Sequence, residues 1–186
     1  MRKDLGVKPY LYPQPVLVIG TYNEDGSANA MVAAWGSVSD MNQIAIYVAN
    51  SHKTMDNIKA RKFFTISMAT EKDIKAIDYL GIASGHKVAD KFAKSGLTAV
   101  KSEHVDAPLI AELPLTLECK FVSYAEEPEL LLGEIVNVTA DESILDENGK
   151  VDVKKLNPIC YDTANHGYYS IGDRIGNAFS DGKSIK

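Results

Sequence analysis

Cysteine is nearly absent. The 186 residues hold two, Cys119 and Cys160, far apart and with no Cys or His neighbour at metal-ligand spacing. A zinc site or a CxxC redox centre therefore has no support, and both read as free thiols. Long apolar runs are missing too: no stretch of about twenty apolar residues exists, so no spanning helix is expected. The N-terminus "MRKDLGVKPYLYPQP" lacks the apolar segment of a secretory signal, so a cytoplasmic protein without a membrane partner is expected. There is no block of Lys and Arg, and the net charge is −5. Nucleic-acid binding leaves a clustered basic footprint, so a nucleic-acid partner is not expected. Histidines are few, and His86, His104 and His166 have no evident Ser or Cys partner, which argues against a hydrolytic triad.

No internal repeat, low-complexity tract or Pro/Gly-rich linker divides the chain. An apolar fraction of 45% fits one globular domain over 1–186 with a core of its own. "PVLVIGTY" (15–22) is a continuous Val/Ile-rich strand, and "NEDG" after it has the residues of a hairpin turn. The return arm "SANAMVAAWGSVS" (27–39) is rich in small residues, which suits a strand that something approaches closely. "QIAIYVAN" (43–50) and "KFFTISMA" (62–69) are two more strands, with room for a two-turn helix between them. "TEKDIKAIDYLG" (70–81) predicts a helix with Thr70 as N-cap, Ile74, Ile77 and Leu80 on one face and Gly81 just past its end. "GHKVADKFAKSG" (85–96) predicts a second, ending at Gly96. "LTLECKFVSYA" (115–125) and "LLLGEIVNVTA" (130–140) are two long β arms joined by "EEPE", and "DENGK" marks a further turn. Asn137-Val138-Thr139 fits a glycosylation triplet, but it falls inside a predicted strand and is set aside. The expected architecture is mainly β: an antiparallel β-barrel with helical inserts.

The stretch "NSHKTMDNIKARKFF" (50–64) places a polar run between a strand end and a helix start. A helix capped by Thr54 would turn the N–H groups of Met55, Asp56 and Asn57 outward at the positive end of its dipole. With Ser51, His52, Lys53 and Thr54 beside them, these groups suit a phosphate monoester. The plainer alternative is a capped surface helix after a solvated turn, and Asp56 competes for the same dipole.

Taken in order, "YLYPQPVLVIGTYNEDGSANAMVAAWGSVS", "SHKT...NI...FTIS", "ASGHKVADKFAKSGLT", "LECKF", "LLLGEIVNV" and "YYSIGDRIGNAFSDGK" cover nearly the whole chain. In that set the sequence resembles the flavin reductase-like family with the FMN-binding split barrel, and within it the flavoredoxin branch. The resemblance implies that Asn29, Ala30, Met31, Ala33, Ala34 and Trp35 face an isoalloxazine ring while Ser51, His52, Lys53 and Thr54 hold its phosphate. It also implies that Ser84, Gly85, Asp90 and Lys91, matching "SG...DKF", approach from the next element. The plain readings are a packing aromatic for Trp35 and a helix-start turn for "ASG".

By the same resemblance the cofactor is FMN rather than FAD, NAD(P)H is a candidate electron donor, and the chain forms a homodimer with a redox protein as a further candidate partner. Chemistry would come from the flavin, so no catalytic side chain is assigned. Many members carry a histidine in a "GDH"-like turn before the strand ending "GEV". Here the turn reads "EEPELLLGEI" with Pro128 in that place, which shifts weight from an NAD(P)H-dependent flavin reductase toward a flavoredoxin-type electron carrier. His166, Tyr168 and Tyr169 read as a surface loop, with contact to a flavin edge as the alternative. The cross-class alternative is a split-barrel module that binds flavin or haem without turnover.

Overall fold

A computed structural model describes residues 1–185. Seven strands form one antiparallel sheet that curls into a half-barrel. In chain order they are β2 (Leu17–Tyr22), β3 (Ala28–Ala33), β4 (Gly36–Asp40), β5 (Gln43–Tyr47), β6 (Phe63–Met68), β9 (Leu115–Ala125) and β10 (Leu130–Ala140), ordered β3-β2-β6-β9-β10-β5-β4 across the sheet. A small sheet joins β1 (Gln14–Pro15), β11 (Ile159–Asp162) and β12 (Gly167–Ser170), and a two-stranded ribbon joins β7 (Ala99–Lys101) to β8 (Pro108–Ile110). The helices are α1 (Lys53–Arg61), α2 (Ile74–Ile82), α3 (Lys91–Ser95) and α4 (Val153–Leu156). Among the described residues none is long and apolar enough to cross a membrane.

β2 explains why its sequence reads as an unbroken apolar run: both of its faces are buried. Leu17 and Ile19 enter one core, which α1 closes with Met55 and Ile58. Val16 and Val18 enter a second core on the opposite face, covered by Ile77 and Leu80 of α2 and Phe92 of α3. The hairpin after β2 turns through Gly26, at φ 83°, with the Asn23 N–H donating to the Ser27 carbonyl at 2.8 Å. β9 and β10 occupy the two predicted arms residue for residue. At a register shift in β10, Gly133 lies so close to the fully buried Phe64 ring that a Cβ would sit 2.4 Å from its Cζ. Gly133→Ala must therefore displace a core ring, and an overpacking cost of about 1–3 kcal/mol is expected, read as a lowered urea midpoint with an unchanged slope.

Three expectations are corrected. The arm 27–39 is two strands, interrupted at Ala34 and Trp35. Thr70 starts a short 3₁₀ turn, Glu71–Asp73, without a side-chain cap, and Gly81 lies inside α2 rather than past it. The helix expected over 85–96 shrinks to α3. Its predicted end holds, since Gly96 is left-handed at φ 77°. The residues before α3 instead form turns whose Lys87 and Val88 N–H groups donate to the Ser84 carbonyl. Cys119 is buried and Cys160 half-buried, and neither forms a disulfide.

Candidate functional site

The polar junction after β5 does become a helix start, capped two residues earlier than the sequence suggests. His52 is the N-cap residue, extended at φ −82°, and its side chain accepts no helix N–H. The N–H groups of Met55 and Asp56 donate to the His52 carbonyl, at 2.9 and 3.4 Å. The helix-start donors with no preceding turn to accept them are therefore those of Lys53 and Thr54. Thr54 is no cap because its hydroxyl is used elsewhere: buried, it accepts from Asn29 Nδ2 at 3.0 Å. Asn29 Nδ2 also donates to Thr21 Oγ1 at 3.1 Å, which in turn accepts from Asn57 Nδ2 at 3.1 Å. This buried polar ladder fixes α1 against β2 and β3, so the first turn of α1 and the small-residue strand are positioned together. Asp56, which would compete for the dipole, turns its carboxylate toward His86 Nε2 at 3.4 Å.

A cavity of about 300 Å³ opens beside this junction. Asn29, Met31, Ser51, His52, Lys53, Thr54, Ser84, Gly85 and Lys91 all line it. The loop 83–85 comes close because Gly85 has no side chain: a Cβ there would lie 3.0 Å from Asn29 Oδ1 and 3.1 Å from Lys53 Cβ. The other expected residues lie elsewhere. Strand alternation sends Ala30 to the opposite face, fully buried in the second core. Ala33 packs against the first core, and Ala34 falls at the break between β3 and β4. Trp35 is exposed and lines a separate groove of about 620 Å³ with Tyr10, Leu11, Val38 and Tyr47. Asp90 faces solvent, ion-paired with Lys94 at 2.9 Å.

The sequence did not single out the apolar wall formed by Val32, Leu80, Gly81, Ile82 and Ala83. Gly81 was the available signal. A Cβ there would lie 3.5 Å from Val32 Cβ, an ordinary contact, so the packing does not require glycine and the residue reads equally well as a helix stop. His166 and the closing aromatics stand apart from this cavity. Tyr161 Oη pairs with His166 Nδ1 at 2.7 Å, and Tyr168 donates to Asp78 Oδ1 at 2.8 Å, tying β12 to α2.

Lys91 dominates the electrostatics. Its side chain is buried at 4% exposure, it lines the cavity, and among the described residues no carboxylate or hydrogen-bond acceptor meets its ammonium. Burial pushes its pKa down to about 8. Burial also pulls the His52 imidazole below its ordinary value, with Lys91 adding to the effect. A buried cation without a counter-ion is costly in a folded chain. Beside two free helix-start N–H groups, the Ser51 hydroxyl and Lys53, it makes one end of the cavity an anion receptor. The opposite wall, with Met31, Val32, Leu80 and Ile82, suits a flat apolar body.

The half-barrel sheet thus brings a helix start and the small-residue strand to one cavity with a cationic and an apolar end. The chain belongs to the flavin reductase-like domain family, whose model matches residues 10–169, and it has the FMN-binding split-barrel fold. It is similar over 98% of its length to the flavoredoxin of Desulfovibrio vulgaris (Miyazaki F), covering all of that chain at 38% identity with a TM-score of 0.93. Against the flavoredoxin of Methanosarcina acetivorans it is 30% identical, with both chains covered completely and a TM-score of 0.88. An FMN-binding domain of a flavin reductases-like enzyme from Shewanella baltica shares the fold at 20% identity and a TM-score of 0.79, over 88% of this chain and 89% of that one.

Proposed function

We propose that this protein is an FMN-binding oxidoreductase that works as a flavoredoxin-type electron carrier. The observation that carries the reading is Lys91, a buried cation facing the cavity without a counter-ion. In this reading Lys91, Lys53 and His52, with the Ser51 hydroxyl and the N–H groups of Lys53 and Thr54, bind the phosphate. Met31 and the α2 wall take the ring. The backbone of residues 29–35 borders its polar edge, and Ser84 and Gly85 close over it. When bound, a flavin accepts a hydride at N5 and passes electrons on singly or in pairs. The chain's own part is to hold that group, orient it and keep the phosphate end charged.

Two features favour a carrier over an NAD(P)H-dependent reductase. The β9–β10 turn carries Pro128 and no histidine, and its Glu129 is committed to the junction, accepting the Val48 N–H on its carbonyl at 3.0 Å and the Asn50 N–H on its carboxylate at 3.1 Å. The groove around Trp35 and Tyr47 supports a homodimer, because a second copy would cover these exposed apolar side chains. The test is an anaerobic absorbance titration of the FMN-loaded protein with NADH, then NADPH, then dithionite. A carrier keeps its flavin band until dithionite is added. Bleaching by either nicotinamide at catalytic rates would instead establish a reductase.

A further inference from the structure

The cationic end of the cavity does not close behind Lys53. Across Lys53 and Gly85 lies a cleft of about 400 Å³ whose far wall is the β2–β3 turn, including Glu24 and Asp25. Lys53 also borders a neighbouring cleft of about 420 Å³ that contains Glu24, Asp56, Tyr22 and Arg61. A group attached to the far side of a phosphate seated at Lys53 would reach these clefts, which Lys53 borders. Three carboxylates meet it there. Asp25 is kept ionised by the Ser27 hydroxyl and N–H, which donate to it at 2.6 and 2.9 Å and hold its pKa below the ordinary carboxylate value.

The cleft's arginine does not offset them. Arg61 pairs with Asp106 at 2.9 Å and donates from Nε and Nη2 to the Asn23 carbonyl at 3.1 and 2.7 Å. The same guanidinium lies 5.8 Å from the centre of the Tyr22 ring, so the aromatic face on which an adenine could stack is already covered. We propose that Glu24, Asp25 and Asp56 form an acidic screen that makes the site selective for a flavin mononucleotide over a dinucleotide. A second phosphate there gains like-charge repulsion, while Lys53 is engaged by the first phosphate, Arg61 is paired with Asp106 and His86 faces Asp56. This rests on the FMN reading above.

Equilibrium titration of the flavin-free full-length chain with FMN and with FAD tests it. Wild type should bind FMN about thirtyfold more tightly than FAD. Glu24→Gln/Asp25→Asn/Asp56→Asn should tighten FAD about tenfold and leave FMN within about threefold. Raising salt to about 0.5 M should narrow the FMN/FAD ratio in wild type and leave it unmoved in the variant, because the repulsion is screened. Should the triple variant unfold, Glu24→Gln alone, on an exposed side chain without a hydrogen bond, gives the same comparison with a smaller shift. Wild type that binds FAD within about threefold of FMN, or a ratio that these changes do not move, overturns the screen while the FMN reading stands. Failure of wild type to bind FMN overturns both.

Discussion

Lys91→Met is expected to weaken FMN binding by about a hundredfold while making the flavin-free protein more stable. The two effects have opposite signs for one reason. In the free protein Lys91 is buried in the cavity wall, and among the described residues no carboxylate answers its ammonium. Its pKa falls from 10.5 to about 8, so the unfolded chain binds this proton more tightly than the folded one. The charged form thus costs the fold stability at neutral pH, a cost relieved as pH rises from about 8 to 10.5. A phosphate supplies the missing counter-charge and removes the penalty on binding. Methionine fills the same space without charge, so it stabilises the empty fold and gives the phosphate nothing.

The same linkage fixes a pH dependence. FMN affinity should be level below about pH 8 and then fall by about tenfold per pH unit, because each further unit deprotonates Lys91 in the free protein but not in the complex. An ordinary lysine would show no fall until about pH 10. Titration of FMN fluorescence quenching between about pH 6.5 and 9.5 reads this directly. Lys91→Met should flatten the profile, and a wild-type profile already flat would show that Lys91 does not face the phosphate.

Glu118→Ala is expected to cost about 3 kcal/mol of stability and to leave FMN affinity unchanged. Glu118 lies fully buried on β9. It accepts from the hydroxyls of Ser102 and Thr139, and from Asn137 Nδ2 at 2.8 Å. Ser102 Oγ in turn accepts the N–H groups of His104 and Val105, both at 2.9 Å. One carboxylate thus holds the loop after β7 and the end of β10 together, and truncation removes the acceptor of the buried Ser102 hydroxyl and of the half-buried Asn137 amide. The amide of the Asn137-Val138-Thr139 triplet is spent on this cluster. Burial alone would raise the Glu118 pKa, but the three bonds outweigh it and hold the value below the ordinary one. A depressed carboxylate stabilises the fold above its unfolded pKa and loses that contribution as pH falls through its folded one. Urea unfolding should therefore show wild type losing its advantage over Glu118→Gln as pH drops below about 4.5. An advantage that did not diminish at all between about pH 7 and about pH 3 would contradict a charged Glu118.

What the sequence made legible follows from what each segment's pattern depends on. β9 and β10 could be delimited to the residue because two arms flank a Pro-containing turn and pair with each other along their length. The flavin-side strand could be found, yet its break could not. "SANAMVAAWGSVS" has no breaker before Gly36, and the interruption at Ala34–Trp35 depends on β4 turning to pair with β5. Thr54 has the chemistry of a cap, and only the tertiary bond from Asn29 shows its hydroxyl is taken. The hairpin β11–β12 escaped notice because "ICYD" and "GYYS" are four-residue strands, stabilised by pairing with β1 and by Tyr168 rather than by an apolar pattern. Lys91 and Asp90 carried equal weight as neighbours in "DKF". The first turn of α3 sends one into the cavity and the other to Lys94.

The central claim is that the cavity between α1, β3 and α2 holds a flavin by its phosphate. The direct measurement is a pair of fluorescence-quenching titrations of the flavin-free protein, one with FMN and one with riboflavin, which differs from it only in lacking the phosphate. The account predicts FMN binding about a hundredfold tighter than riboflavin, with the difference largely abolished in Lys91→Met. Equal affinities for the two flavins, or no binding of either, would contradict it.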